Sequence, residues 1–262
     1  MLVDFIYLLP TWALTLCTIT IFCCIGVGGL VVSRSFLYAK CRLSSETNEA
    51  VNGFISGVGV LYGLLLGLVA VANWNNFNDV ERYVSEEVAA IATFNRDVSA
   101  LRNPASSLLQ KQILVYLDAI VNREWPAHQH GLAPDECGLA VNELHHTLTT
   151  YEPDSTGQGI IFTQAIDSYN QMIVKRQIRI DSVYNEKIPS VFWNVMIAGA
   201  LLSILLSYFL HMPSLLTHAI LEMIYCIFLG VMFSLIAALD NPFKGDISVK
   251  PYNYEHLLES LS

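Results

Sequence analysis

From Asn52 to Phe77 the chain is apolar, without a single Asp, Glu, Lys or Arg, and Gly53, Gly57, Gly59, Gly63 and Gly67 recur through the run. At about 100° per residue these glycines fall within an arc of roughly 160°, together with Ser56, Val60 and Leu64. The opposite arc carries Phe54, Ile55, Val58, Leu61, Tyr62, Leu65 and Val69. The pattern predicts a helix smooth on one side and long enough to cross about 30 Å of hydrocarbon. Its small residues allow close backbone approach, either by copies of itself or by other spans of the same subunit.

Three further runs are long enough to span. Phe5 to Ser33 is free of charge, is followed by Arg34, Lys40 and Arg42, and holds Gly26, Gly28 and Gly29 near its end for close packing. Ser190 to Leu210 and Leu215 to Leu239 are separated by His211-Met212-Pro213-Ser214, which is enough only for a turn between antiparallel helices.

Between Asn78 and Lys187 charges appear every few residues and apolar positions recur at helical spacing, which predicts a helical extramembrane domain. One stripe is Val80, Val84, Val88, Ile91, Val98 and Leu101, stopped at Asn103-Pro104. A second is Leu109, Ile113, Tyr116, Leu117 and Ile120, ending at Glu124-Trp125-Pro126. Asp135 is placed to cap a short third helix running to Thr149. The fourth is expected from Ile160 to Glu186, with Phe162, Ile166, Tyr169, Ile173 and Ile180 on one face. The expected organisation is all-α: spans one and two in 1–77, the helical domain in 78–187, spans three and four in 188–239, and a tail, 240–262, docking through Leu257, Leu258 and Leu261.

Composition supports a membrane protein. The chain is 53% hydrophobic and 14% charged, with mean hydropathy +0.46, where a soluble domain carries about 25% charge. A net charge of −9 without a basic tract argues against nucleic acid. The start, Met1-Leu2-Val3-Asp4, lacks a basic n-region, so the first apolar run is expected to remain as a span. Basic residues pull the orientation two ways. Arg34, Lys40 and Arg42 mark one side; Arg82, Lys175, Arg176, Arg179, Lys187, Lys244 and Lys250 mark the other and favour a cytoplasmic helical domain with both termini inside. The six cysteines form no disulfide framework or CxxC knuckle.

Trp74-Asn75-Asn76-Phe77 and Asn241-Pro242-Phe243-Lys244-Gly245-Asp246 resemble two segments of the bestrophin channel family, the end of its pore helix and the stretch after its last span. Glu124-Trp125-Pro126, Arg176, Arg179, Pro189 and Trp193 are similar to the pattern of its bacterial bestrophin-like branch. The resemblance implies a pentameric ion channel of the bacterial inner membrane, its pore lined by the second span. It implies a constriction at Ser56, Val60 and Leu64, helix packing at Gly53, Gly57, Gly63 and Gly67, and a tail folded back onto the helical domain by Asn241, Pro242 and Phe243. Partners would be the lipid bilayer, a small inorganic ion and copies of the chain; no cofactor is implied. Calcium-gated members carry a dense acidic run after Asn-Pro-Phe, whereas here only Asp246 follows closely, so calcium gating is not expected. The alternative is a non-conducting membrane-anchored scaffold or sensor whose helical domain binds a partner.

His218 and Glu222 mark a possible ion or proton site, because a carboxylate within a span is costly unless it meets a partner or water. The other reading puts Glu222 at headgroup level. His128, His130, Cys137, His145 and His146 gather potential zinc ligands, but their spacing matches no knuckle, and no metal is expected. Lys175, Arg176 and Arg179 suit either an anion-attracting vestibule or a solvated helix end that pairs with acidic neighbours. Glu86 and Glu87 are adjacent on a helix and face different ways. No nucleophile–base pair, phosphate loop or nucleophile elbow is present, so an enzyme is not expected.

Overall fold

The computed structural model describes residues 9–41, 43–133, 137–185 and 188–262. The expected start of the first span at Phe5, the Asp135 cap, Glu186 at the expected end of the fourth domain helix, and Arg42 and Lys187 of the charge comparison lie outside the described residues. Among those described the structure is all-helical, with no strand. The helices are α1 (Thr11–Cys41), α2 (Thr47–Ser99), α3 (Ala105–Ala119), α4 (Trp125–Gln129), α5 (Gly138–Thr150), α6 (Thr156–Asn185), α7 (Ser190–Ser207), α8 (Leu215–Leu239) and α9 (Tyr252–Leu261), with a π-helical turn at Ile120–Glu124. Four of them, α1, α2, α7 and α8, are long and apolar enough to cross a membrane. The chain divides into two compact units, one of residues 1–75, 187–240 and 245–247, the other of 76–186, 241–244 and 248–262.

In the first unit α1 lies along α8 at very short range. A Cβ on Gly230 would stand 2.6 Å from the Cα of Ile19, so only glycine permits this approach. Thr18 Oγ1 donates to the Gly230 carbonyl at 2.9 Å, and Thr15 shares a hydrogen bond with Ser234 at 2.9 Å. Gly26 faces Cys226 and Gly29 faces the Tyr208 ring, whereas Gly28 meets nothing. The Tyr208 hydroxyl donates to the Gly26 carbonyl at 2.8 Å. On α7, Gly199 receives the Tyr62 ring, whose hydroxyl donates to Met196 O at 2.8 Å. The turn after α7 is held at both ends: Asn48 donates to the His211 carbonyl at 2.9 Å and accepts from its N–H at 2.8 Å, while Arg34 donates to Met212 O at 2.7 Å. Asp246 accepts from the Thr11 N–H at 2.9 Å, covering a free amide at the start of α1. Asp240, after α8, accepts from the Ile188 N–H at 2.9 Å.

The first span differs from the expected Phe5–Ser33. Its helix continues past Arg34 and Lys40, because a basic side chain tolerates a helical position when its head reaches polar groups; Arg34 also stacks over Tyr38, 4.7 Å from the ring centroid. The third span stops at Ser207, short of Leu210.

The second unit packs around Val80, Val84, Ile91, Phe94 and Val98 of α2, Leu109, Ile113, Tyr116 and Leu117 of α3, and Leu144 and Leu148 of α5. The change in texture at Asn78 does not break α2, whose 53 residues run through it; nothing between Gly67 and Ser99 is Gly or Pro, and the stripe from Val80 keeps the helical period. Nor does Glu124-Trp125-Pro126 end a helix. The chain passes through the π turn into α4, where Pro126 sits at a helix start and needs no amide donor. Helix α6 begins at Thr156, earlier than Ile160, with Ser155 Oγ accepting from the Gln158 N–H at 3.3 Å. Its fully buried line is Ala165, Met172 and Arg179, with Ile166 and Ile173 only partly buried. In α9 the buried anchor is Tyr254, while Leu257, Leu258 and Leu261 are half-buried.

Candidate functional site

Helix α2 presents two unlike faces within the first unit. Tyr62, Leu66, Val69 and Asn73 form its buried line, and Asn73 Nδ2 donates to Ile236 O at 3.0 Å. Away from it Ser56 is exposed, Val60 is 72% exposed and Leu64 is 59% exposed. A Cβ on Gly53, Gly57, Gly59, Gly63 or Gly67 would meet nothing within 4 Å. Packing between spans of one subunit is therefore carried by Gly26, Gly29, Gly199 and Gly230, and the glycines of α2 take no part in it. Of the residues assigned to the opposite arc, Phe54 and Leu61 are also exposed, while Tyr62 and Val69 are buried and Leu65 is partly buried against the neighbouring helices. Trp74 and Asn75 end the run with exposed side chains.

His218 and Glu222 are both buried at 2% exposure, one turn apart on α8. They line a cavity of about 190 Å³ together with Ile55 and Val58 of α2, Ser207 and Leu210. Ser207 Oγ donates towards Glu222 Oε2, and the same hydroxyl lies 2.6 Å from Ile204 O. The Cys226 thiol is 3.7 Å from Glu222 Oε1. His218 Nε2 is 3.2 Å from the Ser207 carbonyl, which makes this nitrogen the donor.

In the second unit the residues of the sequence motifs converge on one buried ionic cluster. Arg179, wholly buried, donates through Nε to Glu87 Oε2 at 2.6 Å and through Nη2 to Glu124 Oε2 at 3.0 Å. Arg176 donates to Glu124 Oε1 at 2.9 Å, as does the Cys137 N–H at 3.1 Å. The hydroxyls of Tyr116 and Tyr254 donate to the two Glu87 oxygens at 3.0 and 2.9 Å. Among the described residues two carboxylates thus face two guanidiniums, and pairing of this kind is the condition under which buried charge is tolerated. Burial opposes the charge of Glu124, but Arg179 and Arg176 outweigh it and hold its carboxyl below the usual range. Burial, with Arg179 beside it, pushes His128 down to about 3; its Nδ1 accepts from Arg179 at 3.3 Å. Burial and then Glu87 push the Tyr116 and Tyr254 hydroxyls well above their ordinary value.

Trp125 joins this cluster to the tail. Its ring centroid is 5.8 Å from Phe243 and 5.7 Å from Tyr254. Asn241, Pro242 and Phe243 are buried, with Asn241 Oδ1 accepting from the Phe243 N–H at 3.1 Å and Pro242 O from the Val249 N–H at 2.8 Å. Arg179 is thus neither a vestibule charge nor a solvated one; Lys175 pairs with Glu86 at 2.7 Å on the partly exposed side. The sequence placed Tyr116 in a core stripe and Glu87 on a different face from Glu86 but joined neither to Arg179, and it did not single out Tyr254. His128 and Cys137 are buried, His130, His145 and His146 are exposed, and among the described residues no group of His, Cys, Asp or Glu is placed to hold a metal ion.

The comparisons agree with this architecture. A crystal structure of a membrane protein superposes with a TM-score of 0.70 over 94% of this chain and 97% of its own, at 10% identity, a likeness of fold. No curated protein sequence matches the chain. The model of the Bestrophin-like domain matches residues 20–254, a stretch that holds Trp74-Asn75, Glu124-Trp125-Pro126 and Asn241-Pro242-Phe243, and the protein therefore belongs to the bestrophin-like family of integral membrane proteins.

Proposed function

We propose that the protein is an oligomeric ion channel, pentameric as in the bestrophins, that conducts a small inorganic ion passively through a pore lined by α2. Ser56, Val60 and Leu64 form the constriction, and Gly53, Gly57, Gly63 and Gly67 let neighbouring copies of α2 crowd the axis. The observation that carries this reading is the open glycine face of α2. Each glycine inside a helix costs about 1 kcal/mol relative to alanine, and five at which a Cβ would meet nothing within 4 Å among the described residues of the same subunit make sense when another chain fills the space. Val60 and Leu64 stand on that face with their side chains exposed, where a ring of apolar residues gates by excluding water. The charge pattern favours the helical domain and both termini on the cytoplasmic side of a bacterial inner membrane. The family's channel type supports transport over catalysis.

Protein reconstituted in liposomes is expected to support ion flux above that of empty liposomes, and Val60→Ala with Leu64→Ala to raise it. Flux equal to that of empty liposomes under several ions and pH values would overturn the channel and favour a membrane-anchored scaffold.

A further inference from the structure

The cavity bounded by α2, α7 and α8 carries an imbalance of hydrogen-bonding capacity. Ser207 has one hydroxyl proton for two acceptors, Ile204 O and Glu222 Oε2, and the other carboxylate oxygen has only the long Cys226 thiol contact. Among the described residues the side-chain partners of Glu222 are the Ser207 hydroxyl and the Cys226 thiol, neither of them a cation. His218 spends its Nε2 hydrogen on the Ser207 carbonyl, which leaves Nδ1 as an acceptor in the neutral ring, and Nδ1 has no partner. Both unspent groups are acceptors, they lie at i and i+4 on one face of α8, and both residues are 2% exposed. A buried carboxylate without a cation is costly in a span.

A ligand that relieves this carries several N–H donors and a positive charge. A metal ion is poorly served, because among the described residues no group of three His, Cys, Asp or Glu side chains is placed to hold one, although the Cys226 thiol lies 3.7 Å from Glu222. The rest of the wall is mainly apolar, including Ile55, Val58 and Leu221. The volume of about 190 Å³ corresponds to roughly six waters at ~30 Å³ each, which admits an ammonium group with a chain of about four carbons. We propose that this cavity is a binding site for a small primary alkylammonium, whose N–H groups donate to Glu222 and to His218 Nδ1 while its chain lies against Ile55, Val58 and Leu221.

The test is titration calorimetry on the full-length protein in detergent near neutral pH, with n-butylammonium against n-butanol, which has the same chain length and no charge. Saturable binding of n-butylammonium is expected, with n-butanol about tenfold or more weaker and a similar loss for the amine in Glu222→Gln. Equal binding of the alcohol would mean an apolar cavity that accepts any chain, and would overturn the proposal. Undiminished amine binding in Glu222→Gln, or no saturable amine binding at all, would overturn it too. Should Glu222→Gln fail to fold, the comparison of amine and alcohol on the unaltered protein decides alone. Since binding is read without ion flux, failure here leaves the channel reading untouched, and the reverse.

Discussion

Replacing Arg179 with Met removes the guanidinium at the centre of the buried cluster while keeping most of its aliphatic volume, so the cavity term stays small and the electrostatic loss dominates. In the native protein this group serves Glu87 at 2.6 and 3.3 Å, Glu124 at 3.0 Å and His128 at 3.3 Å. Without it Glu124 keeps Arg176 and the Cys137 amide, but Glu87 keeps only the Tyr116 and Tyr254 hydroxyls. Glu87 then has no cation. Leaving a buried partner uncompensated costs about 3–5 kcal/mol, a large share of the ~5–15 kcal/mol that keeps a domain folded. The assay is denaturant unfolding of the full-length protein in detergent, followed by the fluorescence of buried Trp125, at pH 7 and at about pH 3, below the ~4.3 of an unfolded glutamate. At pH 7 the variant should unfold at much lower denaturant. Acidification should narrow the gap. In the native protein Glu124 titrates below its unfolded value, so its stabilisation is present above that value and is lost as pH falls through the folded one. Adding Glu87→Gln should recover part of the loss, giving a non-additive pair. A loss at pH 7 below about 1 kcal/mol, typical of an exposed pair, or identical pH slopes in both proteins, would refute the reasoning.

Tyr254→Phe removes one hydroxyl from Glu87 and is expected to cost about 1.5–3 kcal/mol, the worth of a hydrogen bond to a charged group, read as a lower midpoint in the same Trp125 unfolding curve; an unchanged midpoint would make α9 a passive appendage. His128, held neutral down to about pH 3, takes up its proton only on unfolding, so stability should fall as pH drops from its ordinary 6.5 towards 3, and His128→Gln should flatten that part of a stability–pH profile. Gly230→Ala must push α1 from α8 at Ile19 and should lower the thermal stability of the protomer itself, whereas Gly57→Leu meets open space within the subunit and should instead reduce the oligomer seen by size-exclusion chromatography with light scattering, more than Val58→Leu does. Equal effects at Gly57 and Val58 would show that the glycine face has been misassigned.

The sequence by itself determined much of the architecture. Long apolar runs, interrupted by a charged residue only at Glu222, located the four helices capable of spanning among the described residues, and the helical period placed Val80, Val84, Ile91, Ile113 and Tyr116 inside. Tertiary structure alone decided which glycines serve packing within the subunit. Gly26 and Gly230 look no different from Gly57 and Gly63 in a string of letters, and only the position of Cys226 or Ile19 opposite them separates the two groups. It also decided the fate of Arg179. Three charges in one helical turn suggest a solvated face, because burying a guanidinium is prohibitive unless carboxylates meet it. Those carboxylates, Glu87 and Glu124, come from positions 92 and 55 residues away, a distance over which local periodicity carries no information. For Asn52 to Phe77 the sequence identified the smooth face, and the fold showed that this face lies away from the subunit's own core. The pore role proposed for it rests on the physical cost of leaving five glycines there unused.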